Sequence, residues 1–272
     1  MARHFEWHPA RILQEQQRAG WKPLTIVMLN QPIRDVSTLR KLWGNATIKV
    51  AADGGANHLL AVGHGLFDNV DVIIGDLDSF TDESRAYYQA LPRPPAIIQD
   101  PDQESTDFGK AVKLIRDRDR APEVAEAISH IQFPQEPCDI VAVGGLGGRI
   151  DQGLSQLHHL CLFQADEEYQ DGRMYLVSSE NLTFLLKPGR HIIHVREDAA
   201  EESFGKHVGI IPIKGRSIIT TKGLQWDVEN WETEYGGRIS TSNHVRPETR
   251  VVEVVTDKDV VFTIELLHRG VA

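Results

Sequence analysis

Cysteine is nearly missing from this chain: 272 residues carry two, Cys138 and Cys161. They stand in no CxxC or other ligand spacing, and both lie beside apolar residues. A disulfide framework and a thiolate metal site are therefore excluded, and two buried thiols are expected. No apolar run is long enough to span a bilayer. Residues 1–10 mix charges, histidines and a proline where a targeting segment needs a continuous apolar stretch. The reading is a soluble protein of a reducing compartment, most simply the cytoplasm, with no membrane partner. Positive charge is also scarce. Lys and Arg number 29 against 39 Asp and Glu, for a net charge of -10, which speaks against a nucleic-acid partner held on a broad basic face. Anionic substrates stay open, because a metal and a few local cations can invert the field within one site.

Several catalytic signatures are absent as well. There is no GxxxxGK[ST], so this is not a P-loop enzyme, and neither HExxH nor GxSxG occurs. The glycines at 144–148 fail GxGxxG, since Ile150 stands where the last glycine belongs, and dinucleotide redox chemistry is not expected. His158 and His159 are adjacent within an expected helix, so they face different directions and form no joint metal site.

Against these absences stands one dense stretch, Ile73-Ile74-Gly75-Asp76-Leu77-Asp78-Ser79. An apolar run over 70–74 reads as a buried strand, and Gly75 permits a sharp turn at its end. Leu77 is expected to tuck inward while Asp76 and Asp78 converge above the sheet. Two close carboxylates repel unless a cation or a shared proton offsets them, and a hard, oxygen-seeking cation such as Mg²⁺ is the common solution.

The chain around it alternates. Strands are expected over 24–29, 48–52, 70–74, 96–98, 139–143 and 174–178. Helices are expected around Leu39, Leu42 and Trp43 with Ser37 as cap, and over 81–90, 106–116 and 150–164. The segment 117–137 reads as a charged, Pro-containing insert whose helical centre, 124–131, is an exposed excursion. Alternation of this kind implies an α/β domain with a mainly parallel sheet. Beyond residue 180 only strand-like segments follow, over 182–186, 191–195, 208–213, 217–221, 238–242, 250–256 and 260–266, joined by turns such as Lys187-Pro188-Gly189. The expected organisation is a polar extension over 1–22 with a short helix over 11–18, an α/β domain over 23–179, and an all-β sandwich domain over 180–272.

Open α/β sheets gather function outside the carboxyl ends of their strands. Four such ends here carry unusual chemistry: Asp53-Gly54-Gly55, Gly75 through Asp78, Asp102 through Asp107, and Gly144 through Asp151. Together they read as one metal and polyphosphate site. Asp76, Asp78 and Asp107 are the expected Mg²⁺ ligands, with Asp53 close by. Gly144, Gly145, Gly147 and Gly148 let the backbone approach a phosphate, and Arg149 offers a fork of donors at a helix start, unless it pairs with Asp151 instead. Thr106 and Lys110 add donors at the start of another helix.

With these motifs in place, the chain resembles the eukaryotic thiamin pyrophosphokinase family. The resemblance is carried by LNQP (29–32), ADGGAN (52–57), GDLDS (75–79), DPDQESTDFGK (100–110) and GGLGGRIDQ (144–152), then LLKPGRHIIHV (185–195), TKGLQWDV (221–228) and STSN (240–243). Glu104 and Ser105 depart from the family pattern, and the 117–137 segment is longer than usual. The resemblance implies a two-domain homodimer with its active site at the subunit interface. An α/β domain would bind MgATP, and a β-sandwich domain would help hold thiamin. It also implies attack by the thiamin hydroxyl on the β-phosphorus of ATP, giving thiamin diphosphate and AMP. It adds Gln103, Asp151, Trp226, Ser240 and Asn243 as expected substrate contacts, besides Thr106. Asp53, Asp76, Asp78, Asp107 and Arg149 form the expected catalytic set, and which aspartate takes the hydroxyl proton stays open.

Two other readings compete. A Mg²⁺-dependent phosphohydrolase could use the same carboxylates, but an aspartyl-phosphate enzyme wants its D-x-D after the first strand, which here ends in Asn-Gln-Pro. A non-catalytic thiamin or nucleotide sensor on this fold should have lost carboxylates, and Asp53, Asp76, Asp78 and Asp107 are all present.

Overall fold

The computed structural model describes residues 3–15, 20–117, 119–134, 136–164, 172–197 and 202–268. It divides into two compact units, Arg18–Ser179 and Met1–Gln17 together with Glu180–Ala272.

The first residues are not the polar extension expected of them. β1 (His4–Trp7) alternates exposed and buried, with Phe5 and Trp7 turned inward, and belongs to the second unit. A single turn of 3₁₀ helix follows at Arg11–Leu13. Of the rest of the helix expected over 11–18, residues 14 and 15 are not helical and 16–18 lie outside the described residues.

The Arg18–Ser179 unit is built on β2 (Leu24–Met28), β3 (Ala46–Ala52), β4 (Val72–Gly75), β5 (Ala96–Gln99), β6 (Asp139–Val143) and β7 (Met174–Val177). They pair in the order β7-β6-β2-β3-β4-β5, every pair parallel. β2, β4 and β7 are buried along their whole length, as continuous apolar strands covered on both faces must be. The helices between them are α1 (Val36–Asn45), α2 (Gly55–Val62), α3 (Asp82–Gln89), α4 (Asp107–Arg116), α5 (Pro122–Ala127) and α6 (Ile150–Leu162). α1 starts two residues earlier than its expected cap allows. Asp35, not Ser37, is the N-cap, its carboxylate accepting from the Thr38 N–H at 2.9 Å. A helix, α5, forms at the centre of the 117–137 insert, but 124–131 is not wholly an exposed excursion. Ile128 is buried in the core, with Val124, Ile131 and Phe133 packed against it, because these residues recur often enough to present one apolar side. Cys138 and Cys161 are half-buried thiols, not a disulfide.

Burial between α2 and α3 contains one testable polar contact. The hydroxyl of Tyr88, on α3, donates to the Ala56 carbonyl of α2 at 3.1 Å, and both residues are fully buried. Tyr88→Phe is expected to lower stability by about 1 kcal/mol, read as a shift in the urea midpoint. An unchanged midpoint would mean that the bond adds nothing net.

The second unit contains β1 and β8 (Asn181–Leu186), β9 (Gly189–His194), β10 (Phe204–Pro212), β11 (Ser217–Lys222), β12 (Trp231–Thr233), β13 (Ser240–His244), β14 (Val251–Thr256) and β15 (Val260–Leu266). One sheet runs β1-β9-β14-β11-β12; β13, β10, β15 and β8 pair in that order, all antiparallel. β1 joins β9 in parallel, His4 opposite Arg190 through Trp7 opposite Ile193. The Trp7 ring lies 4.5 Å from that of Phe184 on β8, so the two sheets face each other across a shared core. The Trp7 indole N–H donates to Nδ1 of His191 at 2.9 Å. The expected strand over 238–242 begins later, at Ser240.

Candidate active site

In the α/β unit the chain leaves central β2 toward β3, β4 and β5, then crosses back to β6 and β7. The order of connection therefore reverses beside β2, where α/β sheets open a crevice. The turns after β2, β3, β4, β5 and β6 all lie at that carboxyl edge. A cavity of about 110 Å³ there is lined by Asn30, Gln31, Thr106, Asp107, Gly144 and Gly145, among others.

Asp53 follows β3 with φ 45°. Its N–H donates to the Ile74 carbonyl at 2.9 Å, which ties the turn after β3 to β4. Only 2 % of Asp53 is exposed. Its Oδ2 accepts from the Ser79 N–H at 3.2 Å, whereas Oδ1 is buried with no hydrogen-bond partner among the described residues. A buried, unpaired carboxylate oxygen is costly unless a cation or proton meets it. Burial, and secondarily the Asp107 charge, push the Asp53 carboxyl above its ordinary range.

The acidic turn after β4 holds itself together. Oδ1 of Asp76 accepts from the Asp78 N–H at 3.2 Å, and Oδ2 from the Gln103 amide at 3.4 Å. The Asp78 N–H bond is the main cause that keeps Asp76 below the usual carboxylate range. Leu77 departs from expectation: it does not tuck inward but sits half-buried at φ 65°, a left-handed conformation that aims the flanking aspartates to one side. Asp53, Asp76 and Asp78 each place a carboxylate oxygen within 4.8 Å of the others. Three carboxylates, one of them buried, suit a hard cation.

Asp107 stands beside this group instead of inside it. Its Oδ1 accepts from the Asp76 N–H at 3.3 Å and from Lys110 Nζ at 3.5 Å. Burial raises its pKa, against the opposing pull of Lys110. Lys110 was expected among the phosphate donors. It is only 3 % exposed, on the inward face of α4 one turn after Asp107, and its ammonium neutralises Asp107. Thr106 is exposed at the crevice, but its hydroxyl is already engaged. His159 Nδ1 lies 2.6 Å from the Ser155 carbonyl and therefore carries the proton, so Nε2 accepts the Thr106 hydroxyl at 2.8 Å. The same hydroxyl oxygen caps α4 by accepting from Gly109 N–H at 3.1 Å. Its proton is committed to His159.

The loop after β6 has Gly144, Gly147 and Gly148 at positive φ. At Gly145 a Cβ would lie 2.8 Å from both Gln156 and Leu29, so a side chain there would push into the crevice wall. Arg149 is exposed and forms a fork with exposed Asp151, Nε to Oδ1 at 3.1 Å. That bond keeps Asp151 low and Arg149 high. Asn57 was passed over as a site residue although it closes ADGGAN. Its amide donates to the Ser79 carbonyl at 2.7 Å and accepts from Thr81, which braces the acidic turn from α2.

In the β unit, Trp226 and Asn243 are in contact, and Ser240 begins the strand, β13, that carries Asn243. Buried Asn243 accepts from the Trp226 N–H at 3.1 Å and donates to its carbonyl at 2.9 Å. Trp226 itself is 57 % exposed, its ring 5.0 Å from that of His244. Asp227 holds the preceding turn by accepting from Thr221, Gly223 and Leu224.

Comparison with known proteins places both units. Residues 39–170 match the family profile described as thiamin pyrophosphokinase, catalytic domain, and residues 190–261 the one described as thiamin pyrophosphokinase, vitamin B1 binding domain. Thiamine pyrophosphokinase 3 of Oryza sativa subsp. japonica is 35% identical over 258 residues, spanning 90% of this chain and 88% of that protein. Thiamine pyrophosphokinase 1 of Arabidopsis thaliana is 35% identical over 262 residues, 91% of this chain and 88% of its own. Among solved structures, thiamin pyrophosphokinase from Candida albicans superposes with a TM-score of 0.77 at 25% identity, covering 97% of this chain and 93% of that one.

Proposed function

The chain belongs to the thiamin pyrophosphokinase family, and from that premise we propose that it transfers the diphosphate group of ATP to the hydroxyl of thiamin, giving thiamin diphosphate and AMP. The observation that carries this reading is the acidic turn at the sheet's carboxyl edge, where Asp53, Asp76 and Asp78 face one another beside a glycine-rich loop. A hydrolase or a ligand sensor is not what its relatives are named for.

Asp76 and Asp78, with buried Asp53, would hold Mg²⁺, and Asp107 supports them through the Asp76 N–H. When bound, Mg²⁺ supplies charge neutralisation for the polyphosphate. The chain's own residues do the positioning. The backbone of the 144–148 loop receives phosphate oxygens. Arg149 turns from Asp151 to the transferred group, and Gln103 and Asp151 orient the substrates. Asp107 lines the crevice with a raised pKa, and Oδ2 is the oxygen left to take the thiamin hydroxyl proton. In the β unit, Trp226, Ser240 and Asn243 receive thiamin. We place these sites at the interface of a homodimer. The exposed Ile218 and Val255, on one face of β11 and β14, support a partner surface there. No helix among the described residues is long and apolar enough to cross a membrane, in keeping with a cytoplasmic enzyme. Incubation with ATP, Mg²⁺ and thiamin tests the proposal. AMP and thiamin diphosphate together support it, ADP would mean an ordinary kinase, and ATP loss without thiamin a hydrolase.

Two expectations follow from the geometry. Trp226→Ala should raise the KM for thiamin about 2- to 30-fold, the value of a partly exposed stacking or cation–π contact. The KM for ATP should stay constant, and a matching rise in both would remove Trp226 from the thiamin site. The second expectation concerns pH. Because Asp53 and Asp107 are raised, the folded chain keeps their protons after the unfolded chain has lost them. Stability without metal therefore falls as pH climbs from the ordinary carboxylate range through the raised values. Asp76 is lowered and works oppositely: its stabilising contribution is lost only as pH falls through its depressed pKa. A divalent cation competes with the protons on the raised pair. Mg²⁺ should thus raise the Tm more at about pH 7.5 than at about pH 4.5. Equal shifts at both values would contradict the assignment.

A further inference from the structure

A second group of ligating side chains lies in the β unit, at the N-terminal strand that neither the α/β site nor the thiamin contacts use. Beyond the last pair of the β1–β9 ladder, Trp7 opposite Ile193, come His8 and His194. Their imidazoles stack at 4.3 Å with planes 13° apart. Glu6 Oε1 lies 3.5 Å from His8 Nε2 and 2.8 Å from His194 Nε2, and the three side chains offer ligand atoms all within 4.8 Å of one another.

We propose that Glu6, His8 and His194 form a binding site for one divalent transition-metal ion of the zinc class, which pins the N-terminal strand to β9. Two imidazoles and one carboxylate are a borderline donor set that favours such ions over Mg²⁺ or Ca²⁺. Tetrahedral bonds of about 2.0–2.2 Å set donor atoms about 3.3–3.6 Å apart. The His8–Glu6 separation already meets this. The shorter His194–Glu6 contact opens by a small turn of Glu6, whose side chain is exposed, and the His194 ring turns out of its stack on His8, because the in-plane lone pairs of two near-parallel rings do not meet at one ion.

The support around His8 is what separates a built site from a surface ion pair. Its other nitrogen, Nδ1, lies 2.6 Å from Glu197 Oε1, and Glu197 is itself held by Arg11 Nε at 3.1 Å. A carboxylate accepting from Nδ1–H fixes the tautomer whose Nε2 lone pair is free for metal, the arrangement that commonly orients ligating histidines.

The test uses the full chain, stripped with chelator and titrated with Co²⁺ in excess Mg²⁺, which occupies the oxygen-only site of the α/β unit. The expected result is the visible d–d absorption of histidine-bound Co²⁺, saturating at one equivalent and displaced by Zn²⁺. His194→Ala should abolish it, Glu197→Gln should weaken binding about 10- to 100-fold, and Asp78→Asn should leave it unchanged. Zn²⁺ should raise the Tm of the wild-type chain and not of His194→Ala. Should His194→Ala fail to fold, the exposed Glu6→Gln serves in its place, with at least a tenfold loss of affinity expected. No histidine absorption in the wild-type chain, absorption that survives His194→Ala, or Glu197→Gln titrating as wild type would each overturn the proposal and leave an ion-pair cluster only.

Discussion

Asp78→Asn is expected to lower kcat/KM by about 10²- to 10³-fold, about 3–4 kcal/mol of lost transition-state stabilisation, with the fold intact. The substitution is clean because little of the structure leans on this side chain. Asp78 is exposed, and among the described residues its carboxylate accepts from the neighbouring Ser79 hydroxyl alone, at 3.0 Å. The contact that shapes the turn, Asp78 N–H to Asp76, belongs to the backbone and survives. Unfolding in urea should therefore stay within about 0.5 kcal/mol of wild type. Near-normal turnover at saturating Mg²⁺ would remove Asp78 from the metal-holding set.

Gly75→Ala is expected to cost about 10²-fold in turnover and about 1–3 kcal/mol in stability. A Cβ at Gly75 would stand 2.8 Å from Asp53 Cβ and 2.9 Å from Asp107 Oδ1. Both neighbours are held: Asp53 by its N–H to Ile74, and Asp107 by Asp76 and Lys110. The methyl must force the two carboxylates apart or bend β4 at its last residue, and either outcome moves the site by a fraction of an ångström or more. Turnover within threefold of wild type would show that the cluster tolerates the displacement and that its close packing is incidental.

What was legible in the sequence is what local chemistry dictates. The apolar runs announce the parallel strands, and the carboxylates and glycines cluster at their ends, so the α/β unit and its acidic edge follow from short-range pattern. The rest depends on distance in space. Asp53 and Asp107 exchange places between the inner group and its flank because that choice rests on how β3, β4 and α4 approach one another. Thr106 and Lys110 looked like free donors. Their occupation by His159 and Asp107 was half visible, since Lys110 stands three residues after Asp107 on one helix face, whereas His159 lies 53 residues away. β1 was hidden most completely. Four alternating residues resemble a polar tail until their partner appears 186 positions later, where His4 meets Arg190.

The account stands on one divalent-cation site made by the carboxylates after β3 and β4. Mn²⁺ binding, followed by its electron paramagnetic resonance in the presence of a non-hydrolysable ATP analogue, measures that site directly. The prediction is that the Asp76→Asn, Asp78→Asn double variant binds Mn²⁺ at least about tenfold more weakly than wild type, while Arg149→Ala binds it as wild type does. A double variant that titrates like the wild-type chain would contradict the account.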